Sequence, residues 1–394
     1  MTEKTATSAA TVPSDHIMGV YNRAPLAFER GEGARLFTQD GEAYLDCMAG
    51  IAVNALGHAH PRLVQALKDQ AEKLWHVSNI FKIPGQEALA KRLCAETFAD
   101  VVFFTNSGTE AVECAIKTAR KYHWARGNPE RVDIIGFEGS FHGRTVAAVN
   151  ASGNASYLEG FGPPLPGFAH LPYGDHDALR AAIGPTTAAI IIEPVQGEGG
   201  ARSLPVACMK GLRQLCDEQG ILLIYDEIQC GLGRTGRLFA HDWAEGEGNP
   251  DIMCVAKALG GGFPVGACLA TIAAGSAMSV GEAALDELAK PELLAHVREV
   301  AGYFNQRIAG LKDRYPDVVA DLRGKGLLIG VKLVTPNREF MQHARDEHLL
   351  IAGGGDNCVR LLPPLNLTLD EAREAIARFE AACERARAKA QAAA

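Results

Sequence analysis

Between Ala88 and Thr271 the chain alternates short apolar runs with longer stretches whose apolar positions recur three and four residues apart. The runs Val101–Thr105, Val132–Phe137, Ala188–Glu193, Ile221–Asp226, Ile252–Ala256 and Ala267–Thr271 are rich in β-branched and aromatic residues. They are too short for helices and too uniformly apolar to turn one side to water. They predict strands buried on both faces, and with helical stretches between them an α/β fold with a mostly parallel sheet. From Asn106 to Tyr122, residues Ala111, Val112, Ala115, Ile116 and Ala119 share one helical face.

The flanks read differently. Residues 17–56 hold short strands around a turn at Gln39-Asp40-Gly41. Residues 283–394 alternate helices (Glu292–Arg314, Glu339–Glu347, Leu369–Ala388) with strands (Leu327–Leu333, Cys358–Leu361). The pattern predicts a large domain over 57–282, a smaller α+β domain from 17–56 and 283–394, and a flexible tail over 1–16. The Ala-rich stretch after Arg385 reads as a fraying helix end. A chain of 394 residues, 47% hydrophobic, is long enough for both domains.

Charge narrows the partners. A net charge of -8 argues against nucleic acid or an anionic membrane, both of which attract basic surfaces. No apolar run reaches the length of a membrane span, and 1–16 lacks the apolar centre of a signal peptide, so a cytoplasmic protein is expected. The ten cysteines never form a C-x-x-C pair and sit in apolar runs such as Asp251-Ile-Met-Cys-Val-Ala256, as reduced core thiols do.

Four segments bear on chemistry. Thr105-Asn-Ser-Gly-Thr-Glu-Ala111 joins a strand to an amphipathic helix, placing hydroxyls and free N–H groups at a helix N-terminus. That arrangement binds phosphate, or only caps the helix. Asp226 closes a strand at the edge where open α/β sheets bind ligands; it could cap a helix, bind Mg²⁺ or pair with a cofactor's ring nitrogen. Gly231-Leu-Gly-Arg-Thr-Gly236 spells a dinucleotide fingerprint in the wrong setting, because the strand ends five residues earlier and no good crossover helix follows. Lys257 closes an apolar strand before three glycines. It is either a surface lysine with a buried stem, or a desolvated amine with a lowered pKa, fit for imine chemistry. Phosphate cup, strand-end Asp and apolar Lys together stand in the order expected of a pyridoxal-phosphate enzyme. His58 and His60 form an H-x-H with no third metal ligand nearby.

From about Tyr21 to Leu367 the chain resembles the class III (ω-amino) aminotransferases of pyridoxal-phosphate fold type I, and within them the branch that acts on acetylornithine. The likeness lies in Ala52-Val-Asn-Ala-Leu-Gly-His-Ala-His-Pro61, Trp75-His-Val-Ser-Asn-Ile-Phe81, Phe141-His-Gly-Arg-Thr145, Glu193-Pro-Val-Gln-Gly-Glu-Gly-Gly200, and Tyr225 to Gly236. The resemblance implies a homodimer that binds pyridoxal 5'-phosphate. It would move the δ-amino group of N2-acetyl-L-ornithine to 2-oxoglutarate, giving glutamate, in arginine biosynthesis; succinyldiaminopimelate, ornithine or 4-aminobutyrate are alternative donors. It implies that Lys257 joins the cofactor covalently and moves the proton, and that Asp226 holds the ring nitrogen. Gln229 would reach the ring hydroxyl, Phe141 and Ile228 would flank the ring, and Ser107, Gly108 and Thr109 would hold the phosphate. Arg144 would grip the α-carboxylate of acetylornithine, and Tyr21 would be a further substrate-binding residue. Arg360 would take that of glutamate, with Glu198 covering it in the other half-reaction.

One stretch departs from the family. After the lysine strand the family continues into a Thr-His-Gly-Ser-Thr-(Phe/Tyr)-Gly-Gly-Asn-Pro loop; here Ala277-Met-Ser-Val-Gly281 runs straight into Glu282. The loop's hydroxyls serve the neighbouring subunit's cofactor and substrate, so its absence predicts weaker cofactor retention and impaired turnover.

Overall fold

The computed structural model describes residues 16–274 and 290–393. The apolar runs become seven strands: β1 Val101–Thr105, β2 Asp133–Phe137, β3 Phe168–Leu171, β4 Thr187–Ile192, β5 Leu222–Asp226, β6 Ile252–Val255 and β7 Gly266–Ala270. They lie in the order β1-β7-β6-β5-β4-β2-β3. The pairs from β6 through β3 are parallel, while β7 runs antiparallel to both of its neighbours. The mostly parallel α/β expectation holds with one reversed strand. The link from Ala256 to Val265 is too short for the crossover that a parallel β6–β7 pair would need. β3 was not anticipated: its Phe-Ala-His-Leu run has no β-branched residue and forms a half-buried edge.

Alternation along the strands sorts the core. Ile191, Leu222, Ile224, Ile252 and Cys254 face helix α1, Gly108–Ala125. All five residues assigned to that helix's inner face, from Ala111 to Ala119, are buried there. On the other face Ile190, Ile192, Leu223 and Tyr225 meet Met209, Leu212 and Leu215 of α2, Val206–Gln219. Farther along, Met253 and Val255 pack in one cluster with Val297, Val300 and Phe304 of helix Pro291–Arg314. Each such side chain contributes about 1.5–3 kcal/mol on leaving water.

Strands Phe28–Glu32, Arg35–Thr38 and Ala43–Asp46 form a ribbon to which Leu349–Leu350 adds in parallel, so both ends of the chain share one sheet. A second sheet joins Val319–Lys325, Leu328–Leu333, Cys358–Leu361 and Ala352–Gly354. The first of these strands was not expected; it pairs back through a turn at Gly326, which has a φ of 57°. The C-terminal helix, Leu369–Ala393, runs on past Arg385, where fraying was expected. Ala386 is buried there, and Arg387 and Lys389 pair with Asp317 and Glu339, which ties the last turns down. The ten cysteines are free thiols, most of them buried. Among the described residues no helix is long and apolar enough to cross a membrane. The tail over 1–15, the departure at 277–282 and the expected domain boundary near 282 lie outside the described residues.

Candidate active site

Strand ends and loops at the carboxyl edge of β4, β5 and β6 bring the chemistry-bearing residues together. Asp226, the last residue of β5, is 2% exposed. Its Oδ1 accepts from the Ile228 N–H at 3.0 Å and its Oδ2 from His142 Nδ1 at 2.8 Å. His142 is itself buried. Burial pulls its pKa down, but the bond to Asp226 and that carboxylate's charge outweigh it, and the net shift is upward. Its Nε2 has no hydrogen-bond partner among the described residues.

Just past β4, Glu193 accepts from the N–H of Phe141 at 3.0 Å and of Gly197 at 3.1 Å. Burial first, then the charge of Asp226, push its carboxyl up to about 7. One carboxyl thus ties the Phe141 loop to the loop that carries Glu198.

Lys257 follows β6 with a φ of 48°, a left-handed conformation that costs a non-glycine residue roughly 1–2 kcal/mol. It turns the chain sharply after Ala256. The surrounding atoms desolvate its amine, and with the Arg360 charge they lower its pKa to about 8. The surface-lysine reading fails here.

Arg360, on Cys358–Leu361 and 2% exposed, donates to Glu198 Oε2 at 2.7 Å, to Gln229 Oε1 at 3.1 Å and to the Gly353 carbonyl. Tyr157 donates to the other Glu198 oxygen at 3.4 Å. Arg144 is exposed; it donates to the Tyr21 hydroxyl at 2.7 Å and lies within 6 Å of the Tyr21, Phe141 and Tyr157 rings.

The α1 terminus is built as a cap. Ser107 Oγ accepts from Glu110 N at 3.3 Å, and Glu110 Oε2 takes Asn106 N at 2.6 Å. The first N–H groups of the helix have no partner within it. Close approaches shape the floor. A Cβ on Gly108 would lie 2.8 Å from Ile228, one on Gly143 1.9 Å from Thr109 Oγ1, and one on Gly197 1.8 Å from Gln229. This cradle, with an ionisable carboxylate on one side and a desolvated amine on the other, fits a phosphorylated aromatic aldehyde.

All of the expected site residues therefore converge, except that Gln229 faces Arg360 and Ser107 Oγ is occupied by capping. His142, Glu193 and Tyr157 were not singled out. The first two sit inside the motifs Phe141 to Thr145 and Glu193 to Gly200, whose presence was the available signal. His58 instead donates to Asp46 at 2.7 Å.

The chain belongs to the class-III aminotransferase family, whose model matches residues 18–383. It is 69% identical to acetylornithine aminotransferase 2 of Caulobacter vibrioides over 405 aligned positions, spanning 98% of this chain and all of the relative. Since the chain has 394 residues, at least 11 positions of that alignment have no counterpart here. Acetylornithine aminotransferase of Agrobacterium fabrum is 56% identical over 95% of this chain and 97% of its own. Among solved structures, N-acetylornithine aminotransferase of Stenotrophomonas maltophilia superimposes with a TM-score of 0.83 at 36% identity, covering 94% of this chain and 98% of the other. The ornithine aminotransferase of Toxoplasma gondii reaches a TM-score of 0.89 at 29% identity, covering 95% and 94%.

Proposed function

We propose that the protein is a pyridoxal-phosphate-dependent transaminase that moves the δ-amino group of N2-acetyl-L-ornithine to 2-oxoglutarate, in arginine biosynthesis. The observation that carries this reading is the Glu198–Arg360 pair beside a desolvated Lys257, with Arg144 as a second carboxylate-binding cation. Its relatives' names support the same donor.

Pyridoxal phosphate, when bound, supplies an electron sink that makes the C–H beside the reacting nitrogen acidic. The N-terminus of α1, with Ser107, Gly108 and Thr109, would hold its phosphate. Phe141 and Ile228 would flank the ring, and Gln229 stands at its rim. Asp226 would meet the ring nitrogen at the sheet edge, its carboxyl oriented by the His142 hydrogen bond. With its pKa lowered to about 8, Lys257 Nζ exists partly as the free amine near neutral pH, so it can take a proton and return it.

One site must accept two unlike substrates. With Glu198 on Arg360 the cation is neutralised, and acetylornithine binds through its α-carboxylate at Arg144, leaving its δ-amine near Lys257. With Glu198 withdrawn, Arg360 is free for the α-carboxylate of 2-oxoglutarate. Glu198 is 36% exposed at its side chain and can move; Arg360 is 2% exposed and held by the Gly353 carbonyl, so it cannot.

The reading includes a cytoplasmic homodimer built from a unit over 57–282 and another from 17–56 and 283–394. Trp75 and Ile80, both 83% exposed, and Phe81 and Phe263, at 61% and 58%, support an interface.

The test is spectroscopic. Protein reconstituted with pyridoxal phosphate should show a visible band that bleaches on adding acetylornithine and returns with 2-oxoglutarate. Borohydride should fix the cofactor on Lys257, and Lys257→Ala should abolish that labelling. A colourless protein would end the reading, and a higher kcat/KM for another donor would reassign the substrate.

A further inference from the structure

A cavity of about 170 Å³ lies behind the loop that carries Glu198, apart from the site above. Its walls come from three places. Pro194 and Val195 bridge Glu193 to Gly197, Pro205 and Val206 open α2, and Thr235 and Trp243 flank the loop after β5.

Two polar side-chain groups among its walls lack a partner among the described residues. Thr235 is 1% exposed, and its hydroxyl has no hydrogen-bond partner among the described residues. The Trp243 indole N–H is likewise buried and unpaired. A buried polar group without a partner costs about 1–3 kcal/mol, so two at one cavity mark a place where something accepts from them. Lys325 reaches the mouth with its amine 4.0 Å from the Trp243 ring centre. The first turn of α2 has neither a side-chain cap nor an acidic residue, so the positive end of a 14-residue helix abuts the same space. None of the residues lining the cavity is acidic.

The geometry points to a binding site for a small organic carboxylate. The carboxylate would accept from Thr235 Oγ1 and Trp243 Nε1 and face Lys325 and the α2 terminus. Its carbon chain would lie on Pro194, Val195 and Met209. The volume accommodates a molecule of a few heavy atoms, and the apolar wall favours one with a short tail over an inorganic anion. Because Pro194 and Val195 connect Glu193 to the Glu198 loop, an occupant would brace the loop whose motion exposes Arg360. Binding at the cavity does not rest on the transaminase reading, since the cavity shares no residue with that site; only the bracing of the Glu198 loop does.

Trp243 supplies the readout. The other two tryptophans, Trp75 and Trp124, are 83% and 59% exposed, so a buried-indole signal belongs to Trp243. Titrating butyrate into the purified protein at fixed ionic strength should change that fluorescence saturably, and Trp243→Phe should remove the response. Thr235→Val should weaken binding on the order of tenfold, the loss of one hydrogen bond to a charged group. Lys325→Gln, at an exposed position that the fold does not need, should weaken it several-fold and reduce its salt dependence. No saturable change, or the same affinity in both Thr235→Val and Lys325→Gln, would overturn the site. Phosphate or chloride acting as strongly as butyrate would overturn its assignment to a carboxylate.

Discussion

Both oxygens of Asp226 are taken, one by the Ile228 N–H and one by His142. Asp226→Asn keeps that shape and removes the charge. Transamination should fall on the order of 10²–10³-fold while the melting temperature stays nearly constant. Single-turnover absorbance measures this directly, and a rate within a few-fold of the parent would remove Asp226 from its proposed role. Glu193 makes a second prediction. Its carboxyl, raised from 4.5 to about 7 by burial and then by Asp226, stays protonated in the folded protein where the unfolded chain has ionised. The stability it contributes is full below about pH 4.5 and is lost as pH rises through 7. Melts of Glu193→Gln should lack that part of the slope; equal pH dependence in parent and variant would show that Glu193 does not titrate there.

At the scale of elements, α1 does two jobs with one terminus. Ser107 caps it through Glu110 N, and the same turn offers its free N–H groups to the proposed phosphate. Ser107→Ala should therefore cost about 1 kcal/mol of stability from the lost cap. It should also weaken cofactor binding, unless the hydroxyl serves capping alone. Thermal melts and cofactor titration separate the two effects. The amphipathic pattern announced this helix, and Ala111, Val112, Ala115, Ile116 and Ala119 are buried as it required. The edge strand Phe168–Leu171 was not legible because it is short and has no β-branched residue, and the hairpin strand Val319–Lys325 because its charged and glycine positions break the apolar pattern that marks a strand.

For the whole molecule, the exposed Trp75, Ile80 and Phe81 set an expectation about assembly. Light scattering should give the mass of a dimer, and Trp75→Lys with Ile80→Lys should shift it toward monomer at micromolar concentration; a monomeric parent would refute the homodimer. The departure from the family pattern expected after Gly281 adds another expectation. One hydrogen bond fewer to the phosphate implies cofactor affinity lower on the order of 10–100-fold than in a relative that has the loop. Retention through dialysis, compared with the Caulobacter vibrioides relative, measures it, and equal retention would show that the loop's hydroxyls are dispensable.

The sequence alone determined the sheet's principal strands and α1, and it marked Lys257 and Asp226 as candidates by their place at strand ends and Glu198 and Arg360 by the family resemblance. Periodicity and motif order are local properties, written in neighbouring residues. Only the tertiary structure decided who meets whom. His142 reaches Asp226 across 84 positions, Arg144 reaches Tyr21 across 123, and Arg360 reaches Glu198 across 162. It also decided that Gln229 turns to Arg360 and that Glu193 sits where its carboxyl resists ionising. Such pairings and shifts depend on how loops from distant strand ends close over one another and exclude water, which leaves no periodic mark in the chain.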